Sequence, residues 1–240
     1  MQRLISLVPS VTETLSAWDR TPIACTRFCE RDDLVHVGGT KDPKVDEIVA
    51  LGPDLVIVDA EENRREDYDE LVARGLAVHV LHVRSLDDVA AALTSLAQRL
   101  GVAWRAPALA PSAPPRVRAV VPIWRRPWML LGTPTYGASL LAHLGVRVVT
   151  GSSGPYPTVS FDDAVACRAD VVIAPSEPYP FTQRQRSELE GIAPTTFVDG
   201  KDLFWWGVRT TDAIARLSDQ LSTSARLRLE VARDDTDFAQ

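Results

Sequence analysis

The sequence VDEIVALGPDLVIVDAE, residues Val45–Glu61, recurs without a gap as FDDAVACRADVVIAPSE, residues Phe161–Glu177. Each copy reads as a helix-period segment followed by a short run rich in β-branched residues, which is typical of a helix leading into a strand. The repeat therefore predicts that both halves of the chain are built from the same unit. The copies agree at seven of seventeen positions: Asp46/Asp162, Val49/Val165, Ala50/Ala166, Asp54/Asp170, Val56/Val172, Ile57/Ile173 and Glu61/Glu177.

Short apolar runs alternate with helix-period segments on both sides of the repeat. The run RLISLV at residues 3–8 is typical of a buried strand, and Ser10 with Glu13 fits a capping box for the helix after it. A later helix is predicted to begin with Asp42 as its N-cap and Pro43 at its first position. Strands and helices that alternate at this spacing predict βαβ units with parallel sheets. The fold class is therefore α/β, with two Rossmann-like lobes.

A proline-rich segment, Val102–Arg118 (VAWRAPALAPSAPPRVR), separates the two halves. Prolines remove amide donors and clash inside a helix, so this segment is predicted to run over the surface without a long helix. The predicted organisation is an N-terminal lobe at residues 1–101, a connection at 102–118, a C-terminal lobe at 119–221 and a polar tail at 222–240.

Composition excludes several classes of function. The net charge of −6 argues against a broad nucleic-acid surface. No apolar run reaches the ~18–20 residues of a membrane span, so no membrane insertion is expected. Three cysteines are too few for a disulfide framework, and the N-terminus MQRLISLVPS has no signal-peptide pattern. These features predict a cytoplasmic protein, or a periplasmic or cell-surface one if the chain was shortened at a signal-peptide site; a monomer is expected.

The loops after the predicted strands are candidate ligand contacts, because ligands of open α/β sheets bind beyond the carboxyl ends of the strands. Aromatic residues concentrate in the predicted loops of the second lobe, where each is expected either to be covered by a large apolar or planar ligand or to pack under its own loop. These are Trp124, Trp128, Tyr136, Tyr156, Tyr179, Phe181, Phe204, Trp205 and Trp206. The other candidates are Ser10, Phe28, Cys29, Thr40, Asp59, Glu61, Glu62, Arg84, Arg125 and Glu177.

Positive signals for catalysis or for a bound metal are weak. The sequence contains no dinucleotide-binding or phosphate-binding loop after its first strand and no G-x-S-x-G nucleophile elbow. The spacing of Cys25, Cys29 and His36 fits no usual zinc pattern. Glu61 and Glu177 follow equivalent strands, and they are expected either to stay solvated or to contact a ligand or partner, because a dry unpaired carboxylate is costly.

The segments RLISLVPSVTETL and VGGTKDPKVDEIVALGPDLVIVD resemble the substrate-binding proteins of ABC importers for cobalamin and ferric siderophores, the class with a helical backbone between its lobes. The resemblance covers nearly all of residues 3–221. It implies two lobes whose sheets face each other across a cleft, where loops from both lobes clamp the ligand. It also implies that Glu66 is the first-lobe residue that docks on a membrane permease. The implied cleft residues are Phe28, Thr40, Asp59, Trp124, Tyr156 and Trp205.

The chain departs from that family pattern in its proline-rich connection and in the missing export signal. It therefore resembles a signal-less, cytoplasmic branch whose partner is an ABC permease only if the protein is exported.

The resulting hypothesis is a non-enzymatic binder of cobalamin or another metal-tetrapyrrole, with no required cofactor. The alternatives are a ferric-siderophore or heme binder, a chelatase-like enzyme that uses Glu61 and Glu177 to move protons, and a ligand-sensing adaptor that acts through Glu66.

Overall fold

The computed structural model describes residues 2–222, which separate into two compact units. The first unit contains the described residues up to Ala108 together with Trp205–Arg209, and the second contains Leu109–Phe204 and the residues from Thr210 onward. The predicted polar tail, 222–240, lies outside the described residues except for its first position.

The first unit is built on a five-stranded parallel sheet with the strand order β3-β2-β1-β4-β5. Apolar side chains from the central strands and from helix α2, among them Ile5, Val56 and Ile48, form its buried core. Its elements are β1 (Leu4–Ser6), α1 (Pro9–Ala17), β2 (Ala24–Cys25), β3 (Val35–His36), α2 (Val45–Ala50), β4 (Leu55–Asp59), α3 (Arg65–Ala73), β5 (Val78–Leu81) and α4 (Leu86–Leu100).

The second unit combines a four-stranded parallel sheet, β12-β11-β6-β9, with a three-stranded antiparallel sheet, β10-β8-β7. The parallel sheets of both units confirm the predicted α/β class. The elements are β6 (Val117–Val120), β7 (Pro122–Trp124), β8 (Trp128–Leu130), α5 (Tyr136–His143), β9 (Val146–Val148), β10 (Thr158–Val159), α6 (Phe161–Ala166), β11 (Val171–Pro175), a 3-10 turn (Gln183–Gln185), α7 (Arg186–Glu190), β12 (Thr195–Val198), α8 (Gly200–Phe204) and α9 (210–222).

The sequence repeat folds into the same unit twice. Helix α2 and strand β4 correspond residue for residue to α6 and β11, and each strand pairs in parallel with the first strand of its unit. The repeated aspartate has the same contact in both copies. Asp54 Oδ2 accepts the backbone N–H of Arg3 at 2.7 Å, and Asp170 Oδ2 accepts that of Arg118 at 2.7 Å. Both copies of the repeat therefore have this aspartate for the same reason: its hydrogen bond holds the first strand of the unit beside the repeated strand.

The proline-rich segment forms no helix and no strand between residues 102 and 116, as predicted. Its one large aromatic side chain, Trp104, packs on Trp18 at the end of α1, with 6.0 Å between the ring centroids. The start of the segment is thus anchored to the first unit by an aromatic contact.

Two predicted helix starts are wrong. Helix α1 begins at Pro9 with Val8 as its N-cap, so Ser10 lies inside the first turn and Glu13 instead pairs with Arg209 at 2.9 Å. Proline at the first helical position has no N–H, so one of the unpaired donors of this helix end is absent, and Val8 makes no side-chain cap. Helix α2 begins at Val45 rather than beside Asp42, because both carboxylate oxygens of Asp42 are taken by the Arg27 guanidinium at 3.0 Å.

The segment Trp205–Arg209 returns to the first unit late in the chain. It is held by the Arg209–Glu13 ion pair and by the Val208 N–H, which donates to Thr14 Oγ1 at 3.3 Å. Gly207 has φ +136°, and a Cβ there would lie 2.3 Å from Thr14 Oγ1, so this close approach requires glycine. Within residues 2–222, no helix combines the length and apolar character needed to cross a bilayer.

Ser160 caps the repeated helix α6 with a complete capping box. Its Oγ accepts the Asp163 N–H at 3.0 Å, while the Asp163 carboxylate accepts the Ser160 N–H at 3.1 Å. We expect Ser160→Ala to lower the free energy of unfolding by about 1 kcal/mol, measured by urea denaturation. Ser160→Thr retains the acceptor and is the control; equal losses in both variants would contradict the capping role.

Candidate functional site

A chain of five aromatic rings crosses the second unit. Trp124 meets Tyr179 edge-on with 5.7 Å between ring centroids, and Tyr179 lies 4.6 Å from Phe181. Phe181 stacks on Trp128 at 6.2 Å with nearly parallel planes, and Trp128 also contacts Phe161 at 6.1 Å. These separations are those of favourable aromatic pairs, so the rings form one connected cluster.

The antiparallel sheet turns the two tryptophans of this cluster to opposite faces. Trp124 and Thr158 both pair with Met129, whereas Trp128 pairs with Val159. Partners across an antiparallel ladder share a face, and successive residues alternate. The register of β7 is interrupted between Pro122 and Trp124, which is the signature of a β-bulge, a device that re-aims a side chain. Trp124 thereby joins the outer face and Trp128 the core face.

Exposure divides the predicted aromatic contacts into two groups. Trp124 and Tyr156 are each 44% exposed, and their rings are open to a ligand. Trp128 and Phe181 are buried in the core cluster of the second unit. The prediction that Trp128 lies in a loop is wrong. Trp128 is the first residue of strand β8, and its ring packs in the core of the second unit between Phe181 and Phe161.

Arg125 supports the aromatic cluster from the turn after β7. Its Nε donates to Glu188 Oε2 of helix α7 at 2.8 Å. The pKa of Arg125 is raised, first by this hydrogen bond and also by a hydrogen bond with Tyr179. The Arg125 guanidinium therefore links helix α7 to Tyr179, whose ring contacts Trp124. Arg125 was predicted as a ligand contact, but its charge is matched within the second unit.

Asp59, at the carboxyl end of β4, is completely buried. Its Oδ1 accepts the backbone N–H groups of Glu61 and Glu62 at 2.9 and 3.3 Å, and its Oδ2 accepts that of Val83 at 3.3 Å. Burial nevertheless raises the pKa of Asp59 to about 6, because these neutral donors offset only part of the lost hydration. The carboxylate thus shapes the loop after β4 from inside, whereas sequence reasoning placed it against a ligand.

The raised pKa of Asp59 makes the stability of the protein dependent on pH. The folded state holds this proton more tightly than the unfolded state, so the contribution of Asp59 falls as pH rises from the unfolded pKa of about 3.9 towards 6. We expect the free energy of unfolding of the wild type to fall relative to that of Asp59→Asn by about 1.5 kcal/mol between pH 4.5 and 6. Urea denaturation of both proteins across this range checks it; a constant or growing difference would contradict it.

Glu61 is held by basic side chains of its own unit. Its Oε1 lies 3.3 Å from Arg84 Nε and 3.2 Å from His82 Nε2, and Lys41 Nζ donates to its backbone carbonyl at 3.0 Å. Glu62 lies beside it, half-buried. The predicted polar contacts Glu61 and Arg84 are therefore together at one edge of the sheet, and their charges largely cancel.

Phe28 and Cys29 are neighbours with different surroundings. Phe28 is 50% exposed, and the Arg27 guanidinium covers one face of its ring at 4.8 Å. Cys29 is buried, and its sulfur lies 3.2 Å from the hydroxyls of Thr12 and Thr26. Only Phe28 of this pair has an exposed side chain.

Asn63 is a residue that sequence reasoning missed. Its amide nitrogen donates to the carbonyls of Leu7 at 3.1 Å and Thr40 at 2.9 Å, and its Oδ1 accepts the Asp59 N–H at 2.9 Å. One buried side chain thus ties together three loops at the carboxyl ends of the strands. It is the only asparagine in the sequence, which was a signal that could have singled it out.

The remaining predicted contacts vary in exposure. Thr40 and Trp205 are half-buried, and Arg209 lies 5.4 Å from the centre of the Trp205 ring. Glu177 is half-buried and lies against Gly200 at the start of α8, where an added Cβ would meet its Cγ at 2.4 Å. Glu66 is exposed in the first turn of α3. The buried ones are Ser10, Tyr136 and Trp206.

In the part of the chain that the structure describes, no group of three or more His, Cys, Asp or Glu side chains could hold a metal ion.

Known proteins share this architecture. The vitamin B12 binding protein BtuF of Vibrio cholerae has 18% identity and a TM-score of 0.72, covering 93% of this chain and 98% of its own. A heme-binding protein of Pseudomonas aeruginosa has 20% identity and a TM-score of 0.74, covering 90% and 91%. The heme-binding protein BhuT, in complex with two hemes, has 19% identity and a TM-score of 0.74, covering 93% and 98%. At these identities the similarity establishes the fold.

The sequence itself gives the family. No curated protein sequence matches the chain. The sequence pattern of the periplasmic binding proteins matches residues 4–123, which is half of the chain and includes all of the first parallel sheet. The resemblance seen in the sequence is thereby confirmed, and with it the general role of binding a ligand. The chain belongs to the periplasmic binding protein family.

Proposed function

We propose that this chain binds cobalamin, or a closely related metal-tetrapyrrole, against the exposed face of Trp124. The observation that carries the proposal is the Trp124 ring itself, 44% exposed yet fixed edge-on against Tyr179. A ring held in place loses little conformational freedom when a ligand covers it, so more of the contact energy remains as affinity.

The exposed ring is large enough to contribute substantially. An aromatic side chain buries about 150–250 Å² when fully covered. If a planar ligand covers the exposed part of Trp124, the contact stabilises the complex by roughly 2 kcal/mol at ~25 cal/mol per Å². Tyr156, equally exposed, adds a second aromatic surface in the segment that leads into β10.

Charge supports a ligand without strong anionic groups. Arg84 is paired with Glu61, and Arg125 is paired with Glu188. An anionic ligand would have to compete with a carboxylate for either guanidinium group. Cobalamin has amide groups on its ring, whereas heme has two carboxylates and ferric siderophores are commonly anionic. Relatives with the same fold bind vitamin B12 or heme, so heme is the competing ligand.

Spectral titration of the purified protein with cyanocobalamin and with hemin tests the proposal. We expect saturable binding of cyanocobalamin and a rise in melting temperature with ligand concentration; ligand at 100 times its dissociation constant adds ~2.7 kcal/mol to stability. If hemin binds more tightly than cyanocobalamin, the ligand is still a tetrapyrrole, but the argument from charge is wrong. No saturable signal with any tetrapyrrole or ferric siderophore would sink the proposal.

We further propose that an ABC permease is the partner and that Glu66 takes part in docking. Glu66 is exposed in the first turn of α3, a helix covered with ion pairs such as Arg65–Asp69 at 2.9 Å. A carboxylate in that position can meet an arginine of a partner without desolvating a buried group. Glu66→Arg should abolish capture of the permease in a pull-down while ligand binding stays unchanged; unchanged capture would contradict this role.

A further inference from the structure

Arg118, near the start of strand β6, makes a contact that both copies of the repeat share. Its Nη2 donates to the carbonyl of Cys167, at the end of helix α6, at 2.7 Å. Arg3 holds the equivalent place in the first unit, where its Nη2 donates to the carbonyl of Leu51, at the end of α2, at 2.6 Å. A cationic side chain near the carboxyl end of a helix satisfies its last free carbonyls. This contact of Arg118 is therefore part of the common structure of the two units.

Two further arginines adjoin Arg118 in the second unit. Arg147 of strand β9 pairs in register with Arg118. Neighbouring strands lie about 4.8 Å apart, and residues in register on parallel strands point to the same face, so the two side chains start side by side. Arg168 directly follows Cys167, whose carbonyl accepts the Arg118 hydrogen bond. The sheet and the end of α6 therefore place three arginines together, at the amino ends of β6, β9 and β11.

The first unit is built in the same way without two of these arginines. In the repeat, Gly52 stands where the second unit has Arg168. The register of β1 with β2, continued towards the start of both strands, places Pro22 beside Arg3, where the second unit has Arg147. The common structure therefore needs neither Arg147 nor Arg168.

Both additional arginines lower the stability of the second unit. Arg168 has φ 47°, a left-handed conformation that strains any residue with a Cβ and that Gly52 adopts freely at φ 56°. Arg147 places a second positive charge beside Arg118, and like charges on adjacent strands repel. Arg147 and Arg168 are exposed, and neither forms an ion pair within residues 2–222. Strain and repulsion that the unit does not need point to a ligand outside it.

We propose that Arg118, Arg147 and Arg168 form an anion site that binds a phosphate group. Guanidinium groups bind phosphate oxygens through paired N–H···O bonds, which makes arginine well suited to this anion. Asp170 adjoins the site, and its Oδ2 accepts the backbone N–H of Arg118 at 2.7 Å. Three positive charges and one negative charge leave a net charge of +2. A phosphate monoester, with a charge of about −2 at neutral pH, matches this value better than a single carboxylate does.

The site is separate from the place where the family binds its ligand in such a fold. Ligands of open α/β sheets bind beyond the carboxyl ends of the strands, and the three arginines lie at the amino ends. The phosphate group can belong to a soluble phosphate compound or to a lipid headgroup, since both present the same oxygens. The proposal does not rest on the tetrapyrrole ligand.

Calorimetric titration with sodium pyrophosphate and co-sedimentation with lipid vesicles test the proposal and separate the two sources. Saturable binding of pyrophosphate identifies a soluble phosphate, whereas binding to phosphatidic acid vesicles but not to pure phosphatidylcholine vesicles identifies a headgroup. We expect Arg147→Gln and Arg168→Gly each to weaken the observed binding by about tenfold, because each removes a charge-assisted contact. Arg99→Gln makes the same change of charge on α4 of the first unit and should leave the binding unchanged.

Arg168→Gly also separates binding from folding. Glycine adopts φ 47° without strain, so the midpoint of urea denaturation should equal or exceed that of the wild type while the affinity falls. A lower midpoint would show that Arg168 is needed for folding and would overturn the proposal. Saturable binding of neither probe would overturn it, as would unchanged affinity in Arg147→Gln and Arg168→Gly. An equal loss in Arg99→Gln would reduce the binding to general charge attraction and would overturn it too.

Discussion

Trp128→Ala lowers the free energy of unfolding by about 3–5 kcal/mol, the usual cost of removing a large aromatic side chain from a core. Trp128 stacks on Phe181 and contacts Phe161, and it belongs to the same buried cluster as Val172 and Leu189. Its loss leaves a cavity where the antiparallel sheet packs on α6, β11 and α7, and neighbouring side chains refill such a cavity only in part. Denaturation in urea, followed by far-UV circular dichroism, measures the change.

Trp128→Phe is the matched control for this effect. It retains a ring against Phe181 and should cost clearly less than the alanine variant. If Trp128→Ala is as stable as the wild type, Trp128 is not a core residue, and the division of the aromatic cluster into a core side and a ligand side fails.

Trp124→Ala has the opposite profile: cyanocobalamin binding weakens about 10- to 100-fold, while stability changes little. The ring is 44% exposed and contacts Tyr179 only by its edge, so its removal opens no buried cavity. A loss of roughly 2 kcal/mol of contact with a planar ligand corresponds to about thirtyfold in affinity. Titration of wild type and variant under identical conditions measures the ratio.

Trp124→Phe separates stacking from other effects of the substitution. It retains a smaller ring on the same face, so its affinity should lie between those of wild type and Trp124→Ala. Equal affinity in all three proteins would remove Trp124 from the binding surface, and a large loss of stability in Trp124→Ala would make any affinity change uninterpretable as a contact.

The repeat predicted the fold well because its signals are local. The helix-period segment and the β-branched run at residues 45–59 and 161–175 fold into the expected helix and strand in both copies. Ser85 and Ser160 cap helices in the structure, and these contacts are also local, since each side-chain oxygen accepts the backbone N–H three residues later.

The antiparallel sheet could not be predicted from the same signals. Its strands have two or three residues each, and pairing depends on contacts between residues about thirty positions apart, such as Met129 with Thr158. Short runs that contain proline and tryptophan have no clear period, so residues 124–128 read as a loop. The faces of Trp124 and Trp128 follow from this sheet, and the sequence therefore offered no means of separating the exposed ring from the buried one.

The buried polar contacts also could not be predicted from the sequence. Asp59 was recognised as a residue at the end of a strand, but its burial depends on three backbone amides, one of them 24 residues away at Val83. Arg125 was placed near a ligand, and its partner Glu188 lies 63 residues further along the chain. Side-chain type and position suggested both residues, and only the folded chain shows that each makes its contacts within its own unit.

The most direct test of ligand binding at Trp124 is a crystal structure of the protein with bound cyanocobalamin. We predict that the Trp124 ring lies in contact with the ligand at about 3.5–4.0 Å, with its exposed face covered and its edge still against Tyr179. A bound ligand that leaves the Trp124 ring open to solvent would contradict this account.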